Sequence, residues 1–501
     1  MKKSLVAVGV IVALGAVWTG ASWYTGKQVE VRMDKLVKNT NEMLTDAFPN
    51  SGLVVQVKNF QRGIFSSDAN FTLSTKNTEG SKTDDEIIFK SHIDHGPFPA
   101  SALKGFSFIP ALASAHTEIE QNDATKKLFE ITDGKSLFNI DARIGYSGNI
   151  SSDIEIIPVE HTDKDGVKVS FSGAQINTDV NRDLSVFSFT AKSDDLTVNI
   201  PSEKREITLK GVDFKADYSK GKFGVYLGDH NYTIGEIASR NAGQDDVLIK
   251  NIKMTAKRSE NSQVVNANET YDIGALKLGN MDFGSGQLAF NANDLDGKSV
   301  HEFLQTTDTI LAKSLFGNKL AQLPEDTMAE LYSKLPLLLK GNPKFSITPF
   351  SWKNSQGESS IDFSIALQNI PEDLSSIIHM GTEEQIRTLL QSLSLNVNLS
   401  KPMLIEQITK TAEYSGEDKN NAEATAKMQV QFFGAQGAAL NIVTNTDDAI
   451  DLHLHYADDK VKFNGKESSL HQFLLDNRLI DSYDGANEQS QHDETELPAA
   501  E

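Results

Sequence analysis

The sequence predicts a β-rich α+β protein: a single N-terminal transmembrane helix, then an elongated antiparallel-sheet periplasmic region, with helices mainly after residue 297. Three observations predict it. An uncharged apolar run follows Lys2 and Lys3. Apolar and polar residues then alternate in short segments from Leu53 to Ala292. Helical spacing becomes common from about Gly297.

The stretch from Leu5 to about Trp23 carries no charge. About 19 residues at 1.5 Å each make roughly 29 Å, close to the ~30 Å of a bilayer's hydrocarbon. Trp18, Trp23 and Tyr24 stand at its far end, where interfacial aromatics belong. The run is longer than the ~7–15 apolar residues of a signal peptide. Retention as an anchor is therefore expected over cleavage near Thr19-Gly20-Ala21. The short basic tail and the long downstream chain favour an N-in, C-out orientation, although Lys27, Arg32 and Lys35 lie near the far end. No second long apolar stretch exists, so the chain is expected to cross the inner membrane once, through residues 5-23. The remainder is expected in the periplasm. Gly9/Ala13 and Ala16/Gly20 are small-xxx-small pairs that let two helices approach closely, but Gly and Ala are common in any membrane helix.

Five segments follow. Residues 1-25 are the cytoplasmic tail and anchor. Residues 26-48 form a membrane-proximal helix, with Val29, Met33, Leu36 and Val37 at helical spacing, ended by Pro49-Asn50-Ser51-Gly52. Residues 49-296 form a β-rich domain. Its strands are expected at Leu53–Val57, Phe71–Leu73, Ile140–Ile144, Val167–Thr178, Leu184–Ile200, Ile207–Tyr218, Val247–Lys257, Val264–Ile273, Leu276–Phe283 and Gln287–Ala292. Residues 297-483 form an α+β domain. Helices are expected at Val300–Phe316, Glu325–Leu339 (shortened or kinked by Pro336), Pro402–Tyr414, Lys419–Gly434 and Ser469–Leu475. Strands are expected at Lys344–Ile347, Ile361–Leu367, Leu393–Leu399, Leu440–Thr444, Ile450–Tyr456 and Val461–Phe463, the last ending in a tight Asn464-Gly465 turn. Residues 484-501 are a disordered acidic tail.

Forty-eight basic residues face sixty-nine acidic ones, a formal net charge of −21. Nucleic-acid binding neutralises phosphates with cations, so no nucleic acid is expected as partner. The chain has no cysteine, which excludes disulfides, thiol nucleophiles and thiolate metal sites. The common hydrolase and nucleotide-binding signatures are absent. Asp133-Gly134-Lys135-Ser136 and Asp296-Gly297-Lys298-Ser299 lack the first glycine of a phosphate-binding loop and read as Asp-Gly turns. Asp163-Lys164-Asp165-Gly166 lacks the later ligands of a calcium loop and reads as a turn.

The best metal candidates are His92, Asp94 and His95. On a strand His92 and Asp94 share a face. His453 and His455 share a face with Asp451 further on. Neither cluster supplies the three or four ligands a zinc site needs, and the solvent face of a half-buried strand gives the same pattern. His95-Gly96-Pro97-Phe98-Pro99 reads as a rigid turn. No catalytic residue and no cofactor site is assigned.

Several stretches carry a family likeness. They are Met1-Lys2-Lys3-Ser4-Leu5-Val6 running to Trp23-Tyr24-Thr25-Gly26-Lys27, Asp94-His95-Gly96-Pro97-Phe98-Pro99, and Arg143-Ile144-Gly145-Tyr146-Ser147-Gly148. Leu335-Pro336-Leu337-Leu338-Leu339-Lys340-Gly341 and Ser351-Trp352-Lys353-Asn354-Ser355-Gln356-Gly357-Glu358 complete them. In this order they resemble the YdgA family of proteobacterial inner-membrane and periplasmic envelope proteins, whose molecular function is not established. The resemblance covers nearly the whole chain up to the acidic tail. It implies an inner-membrane location and self-association, and no enzyme activity. The expectation is a non-enzymatic envelope scaffold forming a homo-oligomer, with a lipid or envelope protein as partner. The alternatives are a hydrophobic-ligand or lipid-handling protein with an apolar groove along the sheet, and a metal-dependent hydrolase.

Overall fold

The computed structural model describes residues 2–47, 52–75, 86–104, 106, 108–241, 246–316, 329, 332–371 and 374–480. Side chains are described for these except at 2–14, 43, 46–47, 75, 104, 308–316, 374–375 and 378. The expected acidic tail and the Pro49-Asn50-Ser51 break lie outside the described residues. The chain divides into two compact units. Unit 1 holds residues 1–263, 269–285 and 297–337; unit 2 holds 264–268, 286–296 and 338–501. The expected β-rich α+β composition is observed as antiparallel sheet with few helices.

Unit 1 opens with α1 (Lys2–Ala47), an unbroken helix of 46 residues, about 69 Å long at 1.5 Å per residue. Its buried positions are Ser22, Thr25, Gly26, Val29 and Met33, the i, i+3, i+4, i+7 stripe of a helix packed on one face. A ladder of strands follows: β1 (Leu53–Arg62), β2 (Ser66–Thr75), β3 (Ile87–His95), β4 (Ala113–Ile119), β5 (Phe138–Ile144) and β6 (Ile150–Ile156). Next come β7 (Val159–Thr162), β8 (Lys168–Phe171), β9 (Ala174–Val180), β10 (Val186–Ile200), β11 (Arg205–Lys220), β12 (Tyr226–Asn241) and β13 (Val247–Glu260). The strand order is 1-2-3-4-5-6-9-10-11-12-13, antiparallel throughout. The β7–β8 hairpin sits off this ladder: β8 continues the line of β9 along the far half of β10. Short helices α2 (Ala100–Lys104) and α3 (Lys126–Ile131) interrupt the strands, and α4 (Gly297–Phe316) closes the unit.

Asn41 ties α1 to the first strand. Its amide donates to Val55 O at 2.9 Å, and its Oδ1 accepts from Val55 N at 2.7 Å, satisfying both groups of a strand residue. Apolar contact completes the seam: Val29 and Met33 pack with Ala69, Ile93, Leu112 and Ala113.

Strands β14 (Val264–Leu278) and β15 (Met281–Asp296) contribute to both units. Unit 2 continues with β16 (Lys344–Asn354), β17 (Gly357–Leu367) and β18 (Leu390–Ser400). After them come β19 (Thr444–Asn445), β20 (Ala449–Ala457), β21 (Lys460–Phe463) and β22 (Lys466–Ser469). The order is 16-17-18-20-21-22. Pro349, which has no N–H for a ladder, sits at the register shift between Ile347 and Phe350. Helices α5 (Thr382–Leu389), α6 (Lys401–Tyr414), α7 (Lys419–Ala439) and α8 (Leu470–Asp476) complete the unit. Side chains cap three of them: Ser400 accepts from Met403 N, Asp418 from Asn420 N and Asn421 N, and Ser469 from Gln472 N.

Several expectations need correction. The expected strand over Val167–Thr178 is two strands, parted by Ser172 and Gly173. The three expected segments from Val264 to Ala292 are two long strands. Strand β12 has no counterpart in the sequence reading, because glycines interrupt its alternation. Both are needed there: a Cβ on Gly228 would stand 1.9 Å from Asp217 O, and Gly235 lies against Gly211. Leu440–Thr444 is not a strand. Helix α7 runs on to Ala439, Asn441 turns at φ 58°, and only Thr444–Asn445 pairs. Within Glu325–Leu339, residues 335–339 form a 3-10 turn around Pro336, and residues 325–328, 330 and 331 lie outside the described residues. Asp296-Gly297 is not a turn but the junction of β15 with α4. The Phe223 ring occupies the place of a Cβ on Gly297. Asp133-Gly134 and Asp163–Gly166 are turns, and Asp163 Oδ1 accepts from Asp165 N and Val167 N.

Candidate functional site: the face under the N-terminal helix

The densest set of buried polar groups in unit 1 lies where α1 meets β2 and β3. Ser22, Thr25, Ser67 and His95 are all buried there. Thr25 Oγ1 donates to Gly96 O at 2.9 Å, across 71 residues of sequence. His95 Nδ1 is 3.1 Å from Ile64 O, and its Nε2 is 2.7 Å from Ser67 Oγ. A carbonyl only accepts, so Nδ1 carries the proton and Nε2 accepts from the serine hydroxyl. Burial pulls the His95 pKa below its usual value, against the opposing effect of the Ile64 carbonyl. The ring is neutral at pH 7 and lies close against the helix at Gly26: a Cβ there would stand 2.3 Å from His95 Cε1. Glycine at 26 is therefore required by close approach. Outside this lock, Arg62 Nε pairs with Glu30 Oε2 at 2.9 Å, and Arg62 and Lys27 both lie over the Trp23 ring.

One helical turn further on, the same interface opens into a cavity of about 300 Å³. Val29, Met33 and Leu36 of α1 form its roof. Its floor includes the small residues Ser91, Ala115, Thr117 and Ala142, paired across the strands as Ser91 with Thr117 and Ala115 with Ala142. Thr117 Oγ1 donates to Ser91 Oγ at 2.9 Å. Arg32, Lys35 and Arg182 are the charged residues among the lining.

The opposite face of this sheet carries the predicted metal candidates. His92 and Asp94 share it, as the alternation predicts; His95 points the other way, into the lock. His92 Nδ1 donates to Asp68 Oδ1 at 2.7 Å, while Asp94 Oδ2 accepts from Ser101 N at 2.9 Å. Cross-strand pairing extends the row through His116 and Asp141 to Asp153. Burial lowers the His116 pKa, but hydrogen bonds to Asp141 at 2.8 Å and Glu118 at 3.1 Å outweigh it and hold the value above normal. In unit 2, His453 and His455 are exposed on one face, and His453 Nδ1 lies 3.0 Å from Asn396 Oδ1. Among the described residues no group of three or more His, Cys, Asp or Glu side chains is placed to hold a metal ion. Cross-strand pairs on a solvated face, His–carboxylate contacts in the first cluster and hydrogen bonds to Asn396 and Asn398 in the second, account for both.

Sequence reading thus found His95 but gave it the wrong company. The Gly26–His95 contact and the cavity were missed, because both depend on a helix folding back over strands far along the chain. A weak signal existed in Ser22, Thr25 and Gly26, small and hydroxyl residues at helical spacing around the end of the apolar run.

These features define a class: an antiparallel β protein clasped by its own N-terminal helix, without an assembled metal centre among the described residues. The chain belongs to the family described as "Bacterial protein of unknown function (DUF945)", whose model matches residues 1–471. It is 33% identical to Protein YdgA of Escherichia coli (strain K12), over 95% of this chain and 96% of that protein. It is 27% identical to the uncharacterized protein YihF of the same organism, over 93% of this chain and 97% of that one. An uncharacterized protein of Haemophilus influenzae is 26% identical over 61% of this chain and 85% of its own length. The resemblance to the YdgA family read from the sequence is thus borne out. No solved structure matches the chain.

Proposed function

We propose that this protein is an inner-membrane-anchored periplasmic protein that acts as a non-enzymatic scaffold and self-associates. Residues 5-23 form the span, with the N-terminus in the cytoplasm. Among the described residues no helix is long and apolar enough to cross a membrane. The side chains of residues 5–14 lie outside that description, so the span rests on the sequence.

One observation carries the reading. Among the described side chains of α1 the buried stripe begins at Ser22, while Val17, five residues before it, is 69% exposed. Beside Trp18, unit 1 exposes Phe65, Phe98 and Phe108. The Trp18 ring lies 5.8 Å from that of Phe65, tilted by 52°, and lines a small apolar recess with Phe98, Leu103 and Phe108. Apolar and aromatic loops beside an emerging helix suit a membrane–water interface. The lock at Gly26 and His95 would then hold the sheet in a fixed attitude to the bilayer.

Self-association is supported by α7, where Met428 and Phe432, one turn apart, are 64% and 60% exposed beside exposed Phe433. An alkaline phosphatase fusion at the C-terminus of the full chain tests the topology. Periplasmic activity and membrane retention after carbonate washing are expected; activity confined to a cytoplasmic reporter would end the reading. Light scattering of the purified full chain tests self-association, with Phe432→Glu expected to shift an oligomer to monomer. A second reading, a hydrophobic-ligand protein, is favoured by the cavity under α1.

A further inference from the structure

We propose that the cavity between α1 and strands β3–β5 binds one acyl chain of a single-chain anionic amphiphile, its carboxylate or phosphate held by Arg32, Lys35 and Arg182. The inference rests on the hydrophobic-ligand reading and names the ligand class of that site.

Protein interiors are close-packed, with few voids larger than a water molecule. The space left here, about 300 Å³, is a pocket open to solvent at its rim rather than a sealed void. It stands at the lower end of the ~300–1,000 Å³ typical of small-molecule sites, room for one chain rather than two. The space has a definite origin. Ala115 and Ala142 face each other across β4 and β5, where larger residues would reach the helix. Of the neighbouring hydroxyls, Thr117 donates to Ser91, so its own proton needs no water. The remaining walls include Phe71, Ile93, Leu112, Ile144 and Leu184.

Charge selects the head group. The chain carries a formal net charge of −21, yet the lining holds three cations and no carboxylate. Lys35 and Arg182 are exposed and Arg32 is half-buried, as rim positions should be. Arg182 lays its stem on Gly148, where a Cβ would stand 2.8 Å from Cδ. Guanidinium groups pair with carboxylate or phosphate through two parallel hydrogen bonds, and their stems extend the apolar wall.

The full chain in nanodiscs is photolabelled with a diazirine analogue of palmitic acid, and the labelled residues are mapped by mass spectrometry. The matching diazirine fatty alcohol is run in parallel. Labelling of β3–β5 and the inner face of α1 is expected with the acid. Ala142→Phe should abolish it, and Arg182→Gln with Arg32→Gln should cut it about tenfold. Unlabelled palmitate and monoacyl glycerol phosphate compete; the stronger competitor identifies the head group, and competition by neither overturns the site. Equal labelling by acid and alcohol, unchanged in the arginine variants, overturns the anionic ligand but leaves the hydrophobic-ligand reading. Labelling confined to residues 5–23, or unaffected by Ala142→Phe, overturns both. The milder Ala142→Leu, which fits the space without a ring, separates loss of binding from loss of folding.

Discussion

Both units lay helices on antiparallel sheet, but they fill the space between in different ways. In unit 2, Tyr456, Val461, Leu470 and Leu474 are buried together, with Leu393, Phe463 and Phe473 against them. Large side chains from the strands and α8 interdigitate, and Phe463 meets Phe473 edge-on at 5.5 Å. In unit 1 the helix is held at Gly26 by a buried histidine and at Asn41 by a strand backbone, while Ala115 and Ala142 leave room between. The comparison teaches that the same layering is closed by large interlocking side chains in one place and by a smaller apolar seam with polar fastening in another. The second leaves the space of about 300 Å³ under α1.

The contrast can be broken most sharply in unit 2. Leu474→Ala removes a fully buried side chain, and a loss of about 2–5 kcal/mol is expected. Amide exchange over residues 450–476 should report it while unit 1 keeps its protection. In unit 1 the comparable blow is His95→Ala. It leaves Ser67 and the Ile64 carbonyl unpaired under the helix, at a cost of about 1–3 kcal/mol. Trp18 and Trp23 fluorescence should follow the loosening of α1, and Trp352 in unit 2 should not.

Enlarging a small residue sharpens the comparison further. Ala426 of α7 is fully buried, so Ala426→Leu should overpack and lose about 1–3 kcal/mol. Ala142→Leu grows into existing space and should change stability by less than about 1 kcal/mol. Equal losses in urea melts would show that the cavity closes in solution.

The smallest effects are those of pH, and they differ in sign between the two faces of one sheet. His95 titrates below its usual value in the folded protein, so the unfolded chain binds the proton first as pH falls. The stability it contributes is present above about pH 6.5 and is lost between that point and the lower folded value. His116 titrates above its usual value. Its contribution is present below about pH 6.5 and is lost as pH rises through the folded value. His95→Gln should flatten the acid side of the stability profile and His116→Gln the neutral side. Urea midpoints between pH 5 and 8 test both.

Much of the fold was legible because its signals are local. The alternation of Ile361, Phe363 and Ile365 marks β17, and Asn464-Gly465 marks the turn after β21, whatever lies elsewhere in the chain. Strand β12 was not legible, because Gly228 and Gly235 are set by the close approach of β11 rather than by their own segment. The candidate site was legible only in fragments. His95-Gly96-Pro97 was read as a stiff turn, although the imidazole's role is to seat a helix that precedes it by some seventy residues in sequence.

The sequence by itself determined the period of segments such as β17, the long N-terminal helix, turns such as Asn464-Gly465 and the acidic charge, because each follows from neighbours a few residues apart or from composition. Only the tertiary structure decided that His95 faces inward while His92 faces solvent, that Gly26 meets an imidazole, and that two alanines on adjacent strands face the underside of α1. Those outcomes depend on contacts between residues far apart in the chain. The strand ladder and the packing of the helix set such contacts, and spacing along the sequence does not.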